Sequence, residues 1–191
     1  MPPAFRDRSC SGFTLTELLV SASLLALLLG MGVPSLAAVM DRSRSLAAML
    51  QLKSMLELAR QHAVVQTTAV TLCGTNEERA CVAAWSNSAV LAFVDANANR
   101  AVDPGETILA ESVLPRSGTL RWKASGARSY IRFDLDGGVR EYGMFVYCPE
   151  GKDSHRARAL IVAPTGRVRA ATDRTLDGIP EDGSGRNIAC V

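Results

Sequence analysis

Hydrophobic positions along this chain follow two rhythms, one continuous and one periodic. From Leu18 to Met40 no charged residue interrupts the apolar run. At about 1.5 Å rise per residue this run reaches about 34 Å, enough to cross a hydrocarbon core of about 30 Å. Beyond it, Leu52, Met55, Leu56, Ala59 and Ala63 recur at helical spacing and mark one face of an amphipathic helix. The two patterns abut, which predicts one helix from Phe13 to about Ala69, with Pro34 kinking it rather than ending it. A secretory signal peptide is disfavoured, because the helical pattern continues past the small residues of "SLAAVM".

After the helix the pattern shifts to short alternating runs separated by Gly, Asn, Asp and Pro. "TAVTLC", "AVLAFVD", "TILAESVL", "TLRWK", "SYIRFD", "GMFVYC" and "RALIVAP" read as strands of an antiparallel β domain. Packed on the C-terminal half of the helix, they make an α+β fold. The stretch Asp173 to Gly185, "DRTLDGIPEDGSG", is polar and glycine-rich and reads as a flexible loop.

Composition adds little until it is localised. With 21 basic and 19 acidic residues in 191, bulk charge predicts no partner. Cys10 precedes the apolar run, whereas Cys73, Cys81, Cys148 and Cys190 follow it, and four cysteines can pair completely. Two disulfides are expected if that part faces an oxidising compartment. Three pairings are possible, and proximity alone favours Cys73 with Cys81 and Cys148 with Cys190.

"SGFTLTELLV" resembles the N-terminus of type IV pilins and type II secretion pseudopilins, with a short leader, Gly12 before the cut, Phe13 after it and Glu17 within the apolar run. The resemblance implies cleavage between Gly12 and Phe13 by a prepilin peptidase that also methylates the new amine. It divides the chain into a leader, 1–12, a transmembrane and filament-core helix half, 13–40, and an amphipathic half plus β domain, 41–191. A carboxylate in lipid costs at least a few kcal/mol, so such a residue is normally paired and functional. In the family Glu17 pairs with the α-amine of Phe13 or of the adjacent subunit and sets assembly register. The competing reading is a carboxylate at the headgroup level, favoured by the helix macrodipole.

"VTLCG", "FVDANANRAVDPGET" and "IVAPTGRVRA" narrow the resemblance to the GspH/FimT family of minor pseudopilins and minor pilins. This implies the type IV pilin fold and, as partners, other pilin or pseudopilin subunits, the prepilin peptidase and, before assembly, the inner membrane. The C-terminal domain then faces the periplasm, and the cell surface once the subunit is in a filament. Membership in a type IV pilus is the leading expectation, and a structural tip role in type II secretion is the alternative.

Two clusters invite chemistry. Asp95, Asn97, Asn99, Asp103 and Glu106 approximate the ligand spacing of an EF-hand calcium loop, but Arg100 stands where the sharp turn wants glycine and the flanks read as strands. A hairpin loop whose Asn and Asp satisfy their own backbone explains the same residues. Between Lys152 and Arg174, Lys152, Arg156, Arg158, Arg167, Arg169 and Arg174 oppose only Asp153 and Asp173, with His155 beside them. On a strand Arg167 and Arg169 share a face, paired guanidiniums suit phosphate, and Gly166 allows close backbone approach. The Gly166–Arg169 "GRVR" resembles the pattern that FimT-type minor pilins use to bind DNA during natural transformation. No aromatic residue interleaves with these cations, so backbone contact is expected rather than stacking on unpaired bases.

No enzyme, cofactor or zinc site is expected. The only histidines are His62 and His155, and no nucleophile arrangement or phosphate loop accompanies them. Asp134 and Asp136 in "FDLDGG" read as a strand entering a turn.

Overall fold

The computed structural model describes residues 14–86, 88–113, 118–126 and 128–190, with the helix side chains at 28–38 and 41 outside that description. The leader 1–12 and Phe13 also lie outside the described residues. The first element, α1, is an uninterrupted helix over Leu15–Gln66 that runs through Pro34. Thr14 caps it, its hydroxyl accepting from the Glu17 N–H at 3.3 Å. That bond satisfies one of the donors that every helix start leaves unpaired.

Up to Met40 the helix forms a unit of its own. Leu15, Leu18, Leu19, Val20, Leu24, Leu25 and Leu27 are all exposed there. Among the described residues no helix is both long and apolar enough to cross a membrane. The middle of the run expected to do so, 28–38, has its side chains outside the description.

The second unit, from Asp41 onward, holds the rest of α1 and two antiparallel sheets. Its strands are β1 (Val70–Thr75), β2 (Cys81–Val82), β3 (Ala89–Val94), β4 (Ile108–Val113), β5 (Gly118–Ala124), β6 (Tyr130–Phe133), β7 (Gly143–Pro149), β8 (Arg158–Val162) and β9 (Val168–Ala170). One sheet is ordered β2-β1-β3-β4, with β6 also on β1; the other is ordered β5-β7-β8-β9. Each of the seven strand-like runs read from the sequence overlaps one of these strands. β2 and β9, of two and three residues, are too short for alternation to reveal.

The helix face Leu52, Met55, Leu56, Ala59 and Ala63 is buried in one core with Leu72, Phe93, Ile131, Phe133, Phe145 and Leu160. Both sheets therefore turn an apolar face to the same helix. The four-stranded sheet has a second, smaller apolar cluster, Val146, Cys148, Ala157, Ala159, Ile188 and Cys190. Strand period two explains the split: Phe145 and Tyr147 point to the helix side, Val146 and Cys148 to the other. Disulfides join Cys73 to Cys81 and Cys148 to Cys190, and the second ties the C-terminal tail across the sheet's outer face.

The stretch 173–185, expected to be a flexible loop, is bonded to itself through its carboxylates. Asp173 accepts from the amides of Leu176 and Gly178. Glu181 accepts from those of Arg174 and Thr175. Asp182 takes those of Ser184 and Arg186. Its polarity and glycines signal irregular backbone, but the acidic side chains that make it polar are also what bind it.

Candidate nucleic-acid interface

The cations counted together along the chain are separated in space. Lys152 lies in the turn after β7, Arg156 in the short 3₁₀ turn Ser154–Arg156, and Arg158 opens β8. Arg167 lies beyond the other end of β8, a strand whose four residue steps span about 13 Å. Arg158 has the parity of Leu160, which is in the main core, and lines an apolar groove with Leu50 and Lys53 of α1. Its side chain thus has the strand parity opposite to that of Arg169, although Arg169, at the sheet edge, borders the same groove. His155 is exposed in the 3₁₀ turn, its ring beside Gly178.

Arg167 and Arg169 do share a face. Val168 between them packs against the main core, and Arg169 is in register with Ile161 on the outer side of β8. The Arg167 carbonyl accepts from the Ala163 N–H at 3.0 Å, continuing that ladder. Neither guanidinium has a carboxylate partner among the described residues. β9 is also the edge strand of its sheet, so both side chains stand at a margin.

Gly166 has a structural duty in this motif. Its backbone is left-handed, with φ 73°, and its amide closes the turn onto the Ala163 carbonyl at 2.9 Å. A Cβ there would collide with the Gly137 carbonyl oxygen. The same carbonyl receives a hydrogen bond from Arg60 Nε of α1 at 3.2 Å. Gly166 thus lets the β8–β9 turn sit down on the neighbouring loop, a close approach only glycine permits.

Sheet register assembles cations that the sequence scatters. Lys123 of β5 is opposite Met144 of β7, Met144 opposite Ile161 of β8, and Ile161 opposite Arg169 of β9. This row floors a cleft of about 480 Å³ whose other walls include Tyr142, Asp182 and Arg186. Arg186 is held there by Asp182, with Nη2 at 3.2 Å from Oδ2. Burial pushes the Asp182 carboxyl up, but bonds from Ser184 and Arg186 outweigh it and hold it at about 2. Burial likewise opposes ionisation of Glu181, and bonds from Arg174 and Thr175 still keep it below the usual carboxylate range. Lys123, Tyr142 and Arg186 escape a linear reading because they lie in three segments far from "GRVR". The aromatic residue missing from the basic stretch itself is supplied by Tyr142 from a different strand end.

The calcium-like loop is closed by its own hydrogen bonds. Asp95 is fully buried and accepts from the Thr71 hydroxyl at 2.6 Å. Asp103 Oδ2 accepts from the side-chain amides of Asn97 and Asn99. Glu106 accepts from the amides of Ala96 and Asp103. Arg100 takes the left-handed backbone, φ 65°, and lays its guanidinium over the Tyr130 ring. Among the described residues no group of three His, Cys, Asp or Glu side chains is placed to hold a metal ion. Asp134 pairs with Arg132 and Arg140, and Asp136 accepts from the Gly138 amide, which accounts for "FDLDGG".

Comparison with known proteins adds an independent line. The family model described as type II transport protein GspH matches residues 48–166. The prokaryotic N-terminal methylation motif matches residues 7–33. The crystal structure of the type IV minor pilin FimU of Pseudomonas aeruginosa is similar, with 20% identity and a TM-score of 0.54. The similarity covers 70% of this chain and 92% of that one. The minor pseudopilin EpsH of Vibrio cholerae gives 12% identity, a TM-score of 0.44, and coverage of 65% and 93%. No curated protein matches.

Proposed function

The chain belongs to the GspH family of minor pilins and pseudopilins, structural subunits rather than enzymes, and on that premise we propose that it is a minor pilin of a type IV pilus that binds DNA. The precursor is cut between Gly12 and Phe13, held in the inner membrane through residues 13–40, and drawn into the filament with 41–191 outside. Glu17 pairs with the amine of Phe13 or of the adjacent subunit. Its place in the first turn, below the Thr14 cap, gives it a second and local role at the helix start. Glu17→Ala is expected to be processed normally and to fail to enter filaments; incorporation at the wild-type level would overturn the pairing role.

The observation that supports DNA binding is the Arg167 and Arg169 pair, outward on one face of an edge strand with no carboxylate partner among the described residues. Guanidiniums so presented can each grip a phosphate through two hydrogen bonds, an attraction independent of base sequence. A titration of the full chain in detergent with DNA at several salt concentrations tests this. Arg167→Ala with Arg169→Ala should remove most binding and reduce the salt slope by about 2. An unchanged titration would sink the assignment and leave the tip role in type II secretion as the better reading.

A further inference from the structure

We propose that the cleft beside Arg169 is a site for an unpaired nucleic-acid strand, in which Lys123, Arg169 and Arg186 hold the backbone and Tyr142 stacks on a base. This rests on the DNA reading above and specifies which form of the polymer the site takes.

Three observations converge. The row Lys123, Met144, Ile161, Arg169 crosses four adjacent strands, so cations stand at both ends of an apolar floor. With strands about 4.8 Å apart the two Cα atoms are about 14 Å apart, within the joint reach of a lysine and an arginine. Secondly, Tyr142 lines the same cleft and is 45% exposed, although its backbone is fixed by the bond from the Ser125 amide to its carbonyl at 2.8 Å. An aromatic ring left half in solvent next to cations, on a backbone that is held, is the combination that single-strand binding sites use, because every base offers a π-face. Thirdly, the cleft is open to solvent along one side, and its size, about 480 Å³, lies in the range of about 300–1,000 Å³ typical of sites for one small ligand. It suits a single splayed nucleotide, and a stacked, paired duplex cannot present one without opening.

Arg186 adds a cation from the C-terminal tail, across the cleft from the sheet. Its guanidinium is shared with Asp182, Nε at 3.2 Å from Oδ2, and with the Ser184 hydroxyl. A phosphate entering the cleft competes with that carboxylate, and the counterions it sheds as the cations engage it make affinity fall with salt. For about three contacts on a single strand the slope of log K against log salt is about −2.

The experiment is fluorescence anisotropy of the full chain in detergent with a labelled oligothymidylate and with a duplex of equal length. The single strand is expected to bind more tightly. Tyr142→Ala should weaken it by about 5- to 150-fold, leave the duplex unchanged, and be rescued by Tyr142→Phe. Since Tyr142 is outside the core and bonded through its backbone, the alanine variant should fold, and a thermal melt checks that it does. Equal or tighter duplex binding, or a Tyr142→Ala effect that is absent or the same for both ligands, overturns the single-strand site. If duplex binding then still depends on Arg167 and Arg169, the proposed DNA function stands without it. If neither ligand binds, both readings fall.

Discussion

The two sheets of the β domain present apolar faces to the same helix, yet they treat their second faces differently. In the five-stranded sheet all six residues of β1 are buried, including Thr71, whose hydroxyl is absorbed by the buried Asp95. In the four-stranded sheet Ile188 and Cys190 pack on part of the outer face, and residues 182–186 of the tail wall a cleft over the rest. The floor of that cleft carries Lys123, Met144, Ile161 and Arg169. One sheet buries its central strand on both faces, although its edge strand β4 stays half-exposed, while the other leaves room on its outer face for a cleft. Each sheet also has its own disulfide, and the two bonds close loops of very different length, eight residues apart in one case and 42 in the other.

The disulfides give the largest expected separation between the sheets. On a chain-entropy account, the longer loop contributes about 4 kcal/mol and the shorter about 2.5 kcal/mol. Cys148→Ser with Cys190→Ser should therefore lower the denaturation midpoint more than Cys73→Ser with Cys81→Ser. It should also weaken DNA binding in the cleft, because it frees the tail that carries Arg186, whereas the shorter bridge should leave binding intact in protein that is still folded. Equal midpoint shifts, or loss of binding in both variants, would break the contrast. Next in size is Gly166→Ala, expected to cost about 1–2 kcal/mol for the left-handed backbone alone, with the Gly137 carbonyl adding to it. Its effect should appear in a chemical denaturation curve before any DNA is added, which would identify Gly166 as a turn residue rather than a phosphate contact.

What was legible in the sequence follows the range of the interactions. The buried helix face, seven of the strands and the cysteine pairing depend on local period or on proximity, and these signals survive in a linear reading. The cleft does not, since it needs Lys123 brought to Arg169 through two intervening strands, and no local pattern encodes that register. The local charge excess misleads for the same reason: Lys152 and Arg156 are near Arg167 in sequence and at the other end of β8 in space. The 173–185 loop reads as flexible because carboxylates look solvated until their acceptors are matched with particular amides. A signal for the Thr14 cap was present in "TLTE", an N-cap residue three places before an acid.

A finer cut separates charge from structure within the cleft wall. Asp182→Asn keeps an oxygen to accept from the Ser184 and Arg186 amides but removes the ion pair with Arg186. Releasing an exposed ion pair of about 0.5–1 kcal/mol should raise DNA affinity by about two- to fivefold at low salt, with little change in the denaturation midpoint. Unchanged affinity would remove Arg186 from the list of contacts.

The smallest effect is local and depends on pH. The Asp182 carboxyl is held at about 2 in the folded protein against an ordinary 3.8, so the folded loop binds this proton less readily than the unfolded chain does. Its contribution to stability is therefore complete above about pH 4 and is lost as pH falls toward 2. Hydrogen exchange should show the amides of Ser184 and Arg186, which donate to this carboxylate, losing protection across that window. The amides of β1, a strand buried along its whole length in the other sheet, should keep theirs. In Asp182→Asn the window should vanish for Ser184 and Arg186, because the asparagine has no proton to gain there. If both sheets lose protection together at the same pH, the tail is not an independent cover on the four-stranded sheet but part of one cooperative unit with it.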